Sequence, residues 1–252
     1  MLPFIHIFGL AIPSYGLCIL LGFGLSGFFA FREFKRRGLD LNDAVLFVTY
    51  TAALGFLGAK LLYVLTILPL AENFTWEVLD GALRSGGLVF YGGLIGGFAG
   101  AYLCKVIHTL RISDYLRIIV YFPLAHAIGR IGCFLAGCCY GRVSAGCGIA
   151  FSHSPVAPNG VPFFPVQLLE AALNLCIFAL LYTLQKKKVT LFHITAVYVY
   201  LYAVCRFFLE FLRYDAVRGV FFGLSTSQWI SILLIASMGG AQFIYYRRKK
   251  AL

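Results

Sequence analysis

Long apolar runs alternate with short polar connections along this chain. Seven runs, at about 14–31, 44–68, 88–107, 115–139, 164–184, 191–212 and 226–245, approach or exceed the roughly 20 apolar residues that let a helix cross a bilayer. The second is long and predicts a tilted helix, or one that starts outside the hydrocarbon. The connection at 141–163 is rich in Gly, Pro and Ser, and that at 69–87 carries Glu72, Glu77 and Asp80. No internal repeat is recognisable, which weighs against transporter folds built from inverted repeats.

Composition supports the pattern. The 252 residues are 61% hydrophobic and 12% charged, against about 45–50% and about 25% in ordinary soluble domains. The expected fold is an all-α integral membrane protein of seven transmembrane helices, a single transmembrane domain over 1–252. The net charge of +11 would also fit a nucleic-acid binder, but its placement argues otherwise. Alternate connections and the tail hold fourteen Lys and Arg: Arg32, Lys35, Arg36, Arg37, Lys105, Arg111, Arg117, Lys186, Lys187, Lys188, Arg247, Arg248, Lys249 and Lys250. The opposite connections hold four: Arg84, Arg142, Arg213 and Arg218. The positive-inside rule puts the N-terminus outside, the C-terminus in the cytoplasm, and loops 69–87, 141–163 and 213–225 on the extracytoplasmic side. The charge is thus accounted for without nucleic acid. No basic residue precedes Arg32, so the first run lacks the charged start of a signal peptide and reads as a retained helix.

The charges inside the runs carry the candidate chemistry. They are Lys60, Arg130, Arg206, Glu170 and Glu210. Ionisable groups at membrane depth are costly and mark protein interiors or wet cavities. Arg130 is expected about ten residues, roughly 15 Å, below the outer end of its helix, and Arg206 roughly 10 Å below the end of its own. Tyr15 and Tyr91 open the first and third runs from the same side. His126 and Arg130 are spaced i,i+4, as are Arg206 and Glu210, so each pair shares a helix face. A guanidinium fork suits phosphate and stays charged. Two of them facing one leaflet suggest a phosphate clamp, with Glu210 orienting Arg206; the alternative is structural ion pairs within a helix bundle.

Glycines recur every four residues at Gly92, Gly96 and Gly100, a spacing that favours close helix packing. Gly92 and Gly93, beside Tyr91, could instead expose backbone to a headgroup. Of eight cysteines, four fall between 133 and 147 with spacing C-x4-C-C-x7-C. Zinc sites favour paired C-x-x-C, so no metal is expected. The alternatives are a disulfide involving Cys138, Cys139 or Cys147, a catalytic thiol, and, foremost, plain packing.

HAIGRIGCFLAGCCYGR, GGLVFYGGLIGG, SYGLCILLGF, PVQLLE and RFFLEFLR together resemble the prolipoprotein diacylglyceryl transferase family, in order and over nearly the whole chain. The resemblance implies seven spans in a bacterial cytoplasmic membrane. It implies transfer of the diacylglyceryl group of phosphatidylglycerol to the lipobox cysteine of a preprolipoprotein, with release of glycerol 1-phosphate and no cofactor. The family's essential arginines match Arg130 and Arg206, its tyrosine Tyr15, its glutamate Glu210 and its closing signature glycine Gly141. This chain departs from the family at three places. Tyr91 stands where a proposed catalytic His is usual, Cys133, Ala136 and Cys138 replace polar residues, and Lys60 replaces an arginine. Tyr91 is then expected to hydrogen-bond substrate, and His126 becomes a candidate base. The alternatives are a related phosphatidylglycerol-dependent transferase with another acceptor, or a non-catalytic lipid-binding or transport protein.

Overall fold

A computed structural model describes residues 2–7, 9–67, 75–84, 89–214 and 220–250, without the side chains of Ile7, Phe90, Tyr91, Val220 and Phe221. Apolar runs become helices because a helix satisfies its own backbone polar groups where water is absent. The helices are α1 (Ser14–Arg36), α2 (Leu41–Ile67), α3 (Trp76–Arg84), α4 (Phe90–His108), α5 (Ile112–Tyr115), α6 (Phe122–Ala136), α7 (Val166–Lys186), α8 (Leu191–Leu209) and α9 (Thr226–Lys250). A 3-10 turn joins α5 to α6, and another, Glu210–Leu212, extends α8. Six helical segments among the described residues are long and apolar enough to cross a membrane: α1, α2, α5 through α6, α7, α8 with its extension, and α9. The third apolar run forms α4. Leu20, Phe23, Phe56 and Phe98 each expose more than 60% of their surface, and an apolar exterior of this kind calls for lipid.

The expected single domain divides into two compact units, one of residues 1–30 with 118–252 and one of residues 31–117. In the first, a hairpin of β1 (Phe4–Ile7) and β2 (Leu10–Pro13) precedes α1. Ser14 ties its end down, donating from N and Oγ to the Pro3 carbonyl at 3.0 and 3.1 Å. Helices α6, α7, α8 and α9 pack in sequence, and α1 lies close against α6. A Cβ on Gly132 would sit 2.7 Å from Cys18 Cβ and 3.3 Å from Tyr15 Cα.

Helix α6 stops at Ala136, three residues earlier than the apolar run predicts. Gly137 takes a left-handed φ of 70° and donates to the Cys133 and Phe134 carbonyls, while Cys138 N donates to Cys133 O at 3.0 Å. This is a Schellman cap, which glycine adopts without strain. Arg130 therefore lies six residues from its helix end, about 9 Å rather than 15 Å. Beyond the cap, Phe151, Ala157 and Phe163 form a small core with Phe134, Tyr140 and Val161. Three segments meet edge to edge there. Gly141 N donates to Phe164 O, Arg142 N to Leu212 O and Phe164 N to Arg142 O, at 2.9–3.1 Å. A short hairpin of β3 (Ile149–Ala150) and β4 (Pro162–Phe163) completes the layer.

In the second unit, α2 and α4 meet through backbone. A Cβ on Gly92 would run into the Gly58 carbonyl, on Gly96 into Leu54, and on Gly100 into Tyr50. The four-residue period expected of small-residue packing is borne out at these three positions. Gly93 is looser, 3.5 Å from Ala59 Cβ. Lys60, on α2, places its ammonium 5.2 Å from the Tyr63 ring centroid. Glu33 binds Arg36 and Arg37 at 2.8 and 2.6 Å.

Candidate active site

Three helices of the first unit each contribute one polar face. On α6, His126, Arg130 and Cys133 share a face by i,i+4 and i,i+3 spacing. On α7, Gln167, Glu170 and Asn174 follow the same rule and are all buried, at 0–3% exposure. Val166, Ala171 and Ile177 are buried beside them while Leu175 and Leu180 are exposed, so the helix turns its polar residues inward, as expected where the outer solvent is lipid. On α8 and its extension, Arg206, Glu210 and Arg213 follow at i, i+4 and i+7.

Together they form an alternating chain of charge. Arg130 Nη2 lies 3.0 Å from Glu170 Oε1, and Arg213 Nη1 lies 3.9 Å from Glu170 Oε2. Arg213 Nε lies 4.0 Å from Glu210 Oε2, which is 2.8 Å from Arg206 Nη2. The order is thus Arg130, Glu170, Arg213, Glu210, Arg206. Side-chain exposure is 18% and 10% at the two ends and 2–5% at the three inner members. Three guanidiniums against two carboxylates leave one positive charge, the complement of a phosphodiester. Arg206 Nη2 also donates to Ser227 Oγ at 2.8 Å, whereas its Nη1 is buried without a hydrogen-bond acceptor among the described residues. Both Glu170 oxygens and Glu210 Oε2 meet guanidiniums within ion-pair distance, whereas Glu210 Oε1 is buried without a hydrogen-bond donor among the described residues.

His126 Nε2 lies 3.3 Å from Arg130 Nε and 3.4 Å from Glu170 Oε1. One ring nitrogen serves only one of these at a time. Arginine can only donate, so a neutral ring accepts from Arg130, and a protonated one donates to Glu170. Tyr15, half-exposed in the first turn of α1, stands where Gly132 brings α6 close. Gly141 belongs to the edge-to-edge contact: a Cβ there would sit 2.5 Å from Phe164 O and 2.8 Å from Leu212 O. In the second unit, Gly92 packs against α2. The Tyr91 backbone opens α4 and its side chain lies outside the described residues.

Two residues of the site, and the convergence of three thiols, are not foretold by the sequence. Arg213 looked like loop charge, yet the RFFLEFLR face carries it into the buried chain. Ser227 belongs to another helix. The third surprise is the thiols. Cys133, Cys138 and Cys139 place their sulfurs within 4.8 Å of one another. The Schellman cap is the reason, because its C3 and C″ residues, here Cys133 and Cys138, face each other. Cys139 adds itself through a left-handed φ of 57°, uncommon for a residue with a side chain. Past the helix end, hydrogen bonds from Cys133 and Cys138, then the charges of Arg213 and Arg130, hold the Cys139 thiol far below its ordinary range. All eight cysteines are free thiols, so the disulfide alternative is not realised in this structure.

Fold and site together define a multi-pass helical membrane protein with a buried, net-positive arginine–carboxylate chain that is least buried at its two ends. Among known proteins, the sequence pattern described as prolipoprotein diacylglyceryl transferase matches residues 3–245. The chain is 34% identical over 238 residues to phosphatidylglycerol--prolipoprotein diacylglyceryl transferase 2 of Clostridium perfringens, covering 91% of this chain and 90% of that protein. It is 35% identical to the transferase of that name, without the numeral, from Clostridium tetani, covering 91% and 92%. The Streptococcus pneumoniae enzyme is 33% identical over 96% of this chain and 92% of its own length. The chain belongs to the prolipoprotein diacylglyceryl transferase family.

Proposed function

We propose that this protein moves the diacylglyceryl group of phosphatidylglycerol onto the thiol of a lipobox cysteine in a preprolipoprotein, forming a thioether and releasing glycerol 1-phosphate. Family membership supports the reaction class. The observation that carries the assignment to this site is the alternating charge chain, whose least buried members are its ends, Arg130 and Arg206, and whose net charge matches one phosphodiester. The chain sits in a bacterial cytoplasmic membrane with seven spans, α4 being the third, the N-terminus outside and the C-terminus inside. The distribution of Lys and Arg supports that orientation.

The reaction needs a thiolate to attack the glyceryl carbon that bears the phosphate ester. Negative charge then grows on the leaving phosphate, and preorganised positive donors are most effective at that point. Arg206 offers the unpaired Nη1, with Glu210 and Ser227 fixing its fork. Arg130 is oriented by Glu170 and by His126, which at neutral charge accepts from Nε. Tyr15 stands on the α1 side of this site, and Gly141 holds the backbone contact with Phe164 and Leu212 beside Arg213. Tyr91, Gly92 and Gly93 are substrate contacts as the family resemblance implies, with Tyr91 as a hydrogen-bonding group.

Mass spectrometry of a lipobox peptide incubated with the purified protein and phosphatidylglycerol vesicles tests this. The expected product is a diacylglyceryl thioether on the peptide cysteine. An unmodified peptide, with the lipid still bound, would assign the site to another acceptor or to lipid binding. Full rescue of a transferase-depleted strain by Arg130→Ala or Arg206→Ala would remove that residue from the clamp.

A further inference from the structure

A thiol ionises near pH 8.5 unaided, and only the thiolate attacks carbon well. The carboxylates described above are ion-paired with arginines and His126 is engaged by Arg130, which makes each a poor base for it. Glu170 and Glu210 each face two guanidiniums, and the His126 Nε2 lone pair is directed at Arg130. The thiol cluster is the unspent chemistry of this region. Its three sulfurs converge within 4.8 Å. Zinc–sulfur bonds of about 2.3 Å at tetrahedral angles put sulfurs about 3.8 Å apart, so the trio closes on an ion with movements of an ångström or less.

We propose that Cys133, Cys138 and Cys139 form a three-thiolate site for zinc whose fourth position takes the acceptor thiol of the transfer reaction. The proposal rests on the function proposed above and departs from the expectation of a metal-free reaction.

Four observations support it. The cluster is built rather than incidental: the Schellman cap fixes Cys133 against Cys138, and Cys139 holds a left-handed backbone that brings its sulfur in. The cap is anchored from outside, since the fully buried Gln167 donates to the Cys138 carbonyl at 2.8 Å. Cys133 is buried while Cys138 and Cys139 are partly open, which leaves one side of the ion for a ligand from solution. Three thiolates on a divalent ion carry one net negative charge, and Arg213 and Arg130 act electrostatically on the cluster. Cys147, exposed, lies outside it. Three protein ligands with an open fourth position are the arrangement of catalytic rather than structural zinc.

The chemistry balances. Binding of the acceptor thiol to zinc releases its proton to solvent. The bound thiolate gives its electron pair to the phosphate-bearing glyceryl carbon. The carbon–oxygen bond breaks, and its pair goes to the phosphate held by Arg130 and Arg206. The thioether product is neutral and a weak ligand, so it leaves the ion.

The test uses the full chain, purified in detergent under reducing conditions. Elemental analysis should find about one zinc per chain. Cobalt should give a thiolate charge-transfer absorption that changes when lipobox peptide is added. Cys133→Ser, Cys138→Ser and Cys139→Ser should each lower zinc affinity at least about tenfold, whereas Cys147→Ser should not. Phosphatidylglycerol binding and a monodisperse elution profile establish that each variant is folded. Zinc-free wild type, or folded Cys→Ser variants that transfer at the wild-type rate, would overturn the proposal. A disulfide among the three thiols in protein that takes up no zinc when reduced would overturn it in favour of a redox pair. A cobalt spectrum indifferent to peptide would refute the acceptor's place at the ion. Zinc bound as proposed, with the cobalt shift present but no lipid transfer in any form, would sustain the metal site and sink the transferase reading instead.

Discussion

The α2–α4 pair and the α6–α7–α8 group are built from equally apolar sequence, yet they are held together in opposite ways. The first closes on backbone, with Gly92, Gly96 and Gly100 leaving no room for a Cβ. The second is linked by charged side chains, with Glu170 between Arg130 and Arg213, and Glu210 between Arg213 and Arg206. Without a hydrophobic force between helices in lipid, association relies on close packing or on polar contacts. This chain uses each where it suits: packing where nothing has to enter, charge where a substrate does.

The largest expected break falls on the charged side. Glu170→Ala leaves Arg130 and Arg213 buried without their shared carboxylate, and thermal unfolding in detergent should show a loss of about 3–5 kcal/mol. Adding Arg130→Ala should recover part of it. Arg206→Ala should lower lipid transfer by roughly 100–1000-fold, because the phosphate loses the Nη1 donor that has no other acceptor among the described residues, while Arg206→Lys keeps charge without the fork and falls between. On the packed side, Gly96→Ala should cost about 1–3 kcal/mol of stability by forcing α4 off the Leu54 carbonyl. Gly24→Ala, with open space at its Cβ, should stay within about 0.5 kcal/mol. The finest distinction is Ser227→Ala, which removes one hydrogen bond to Arg206. A loss of about 1 kcal/mol, or roughly fivefold in transfer with unfolding unchanged, would separate positioning from stability.

Much of this was legible in the sequence because membranes make charge informative. An arginine inside an apolar run stands out, and i,i+4 spacing already paired Arg206 with Glu210 and Arg130 with His126. The small-residue period of α4 was readable for the same reason. Contacts between helices were not. Nothing local says that Glu170 on α7 would stand between residues of α6 and α8, or that Arg213 would turn inward rather than remain with the loop charges. The thiol cluster does not follow C-x-x-C, so its spacing alone does not announce that three sulfurs converge. The useful signal was Gly137, a helix-ending glycine with a cysteine four residues before it and one directly after. The β1–β2 hairpin was also overlooked, since four-residue strands carry little periodicity.

The backbone joint between α2 and α4 has a mechanical consequence. Side-chain interfaces yield by changing rotamers, as packed knobs find new holes. Where carbonyls rest on glycine Cα atoms there are no rotamers to change. The two helices lack slack along that seam, so a push or tilt on one is delivered to the other undiminished. Thickening or thinning of the surrounding bilayer should therefore move them as one stiff lever.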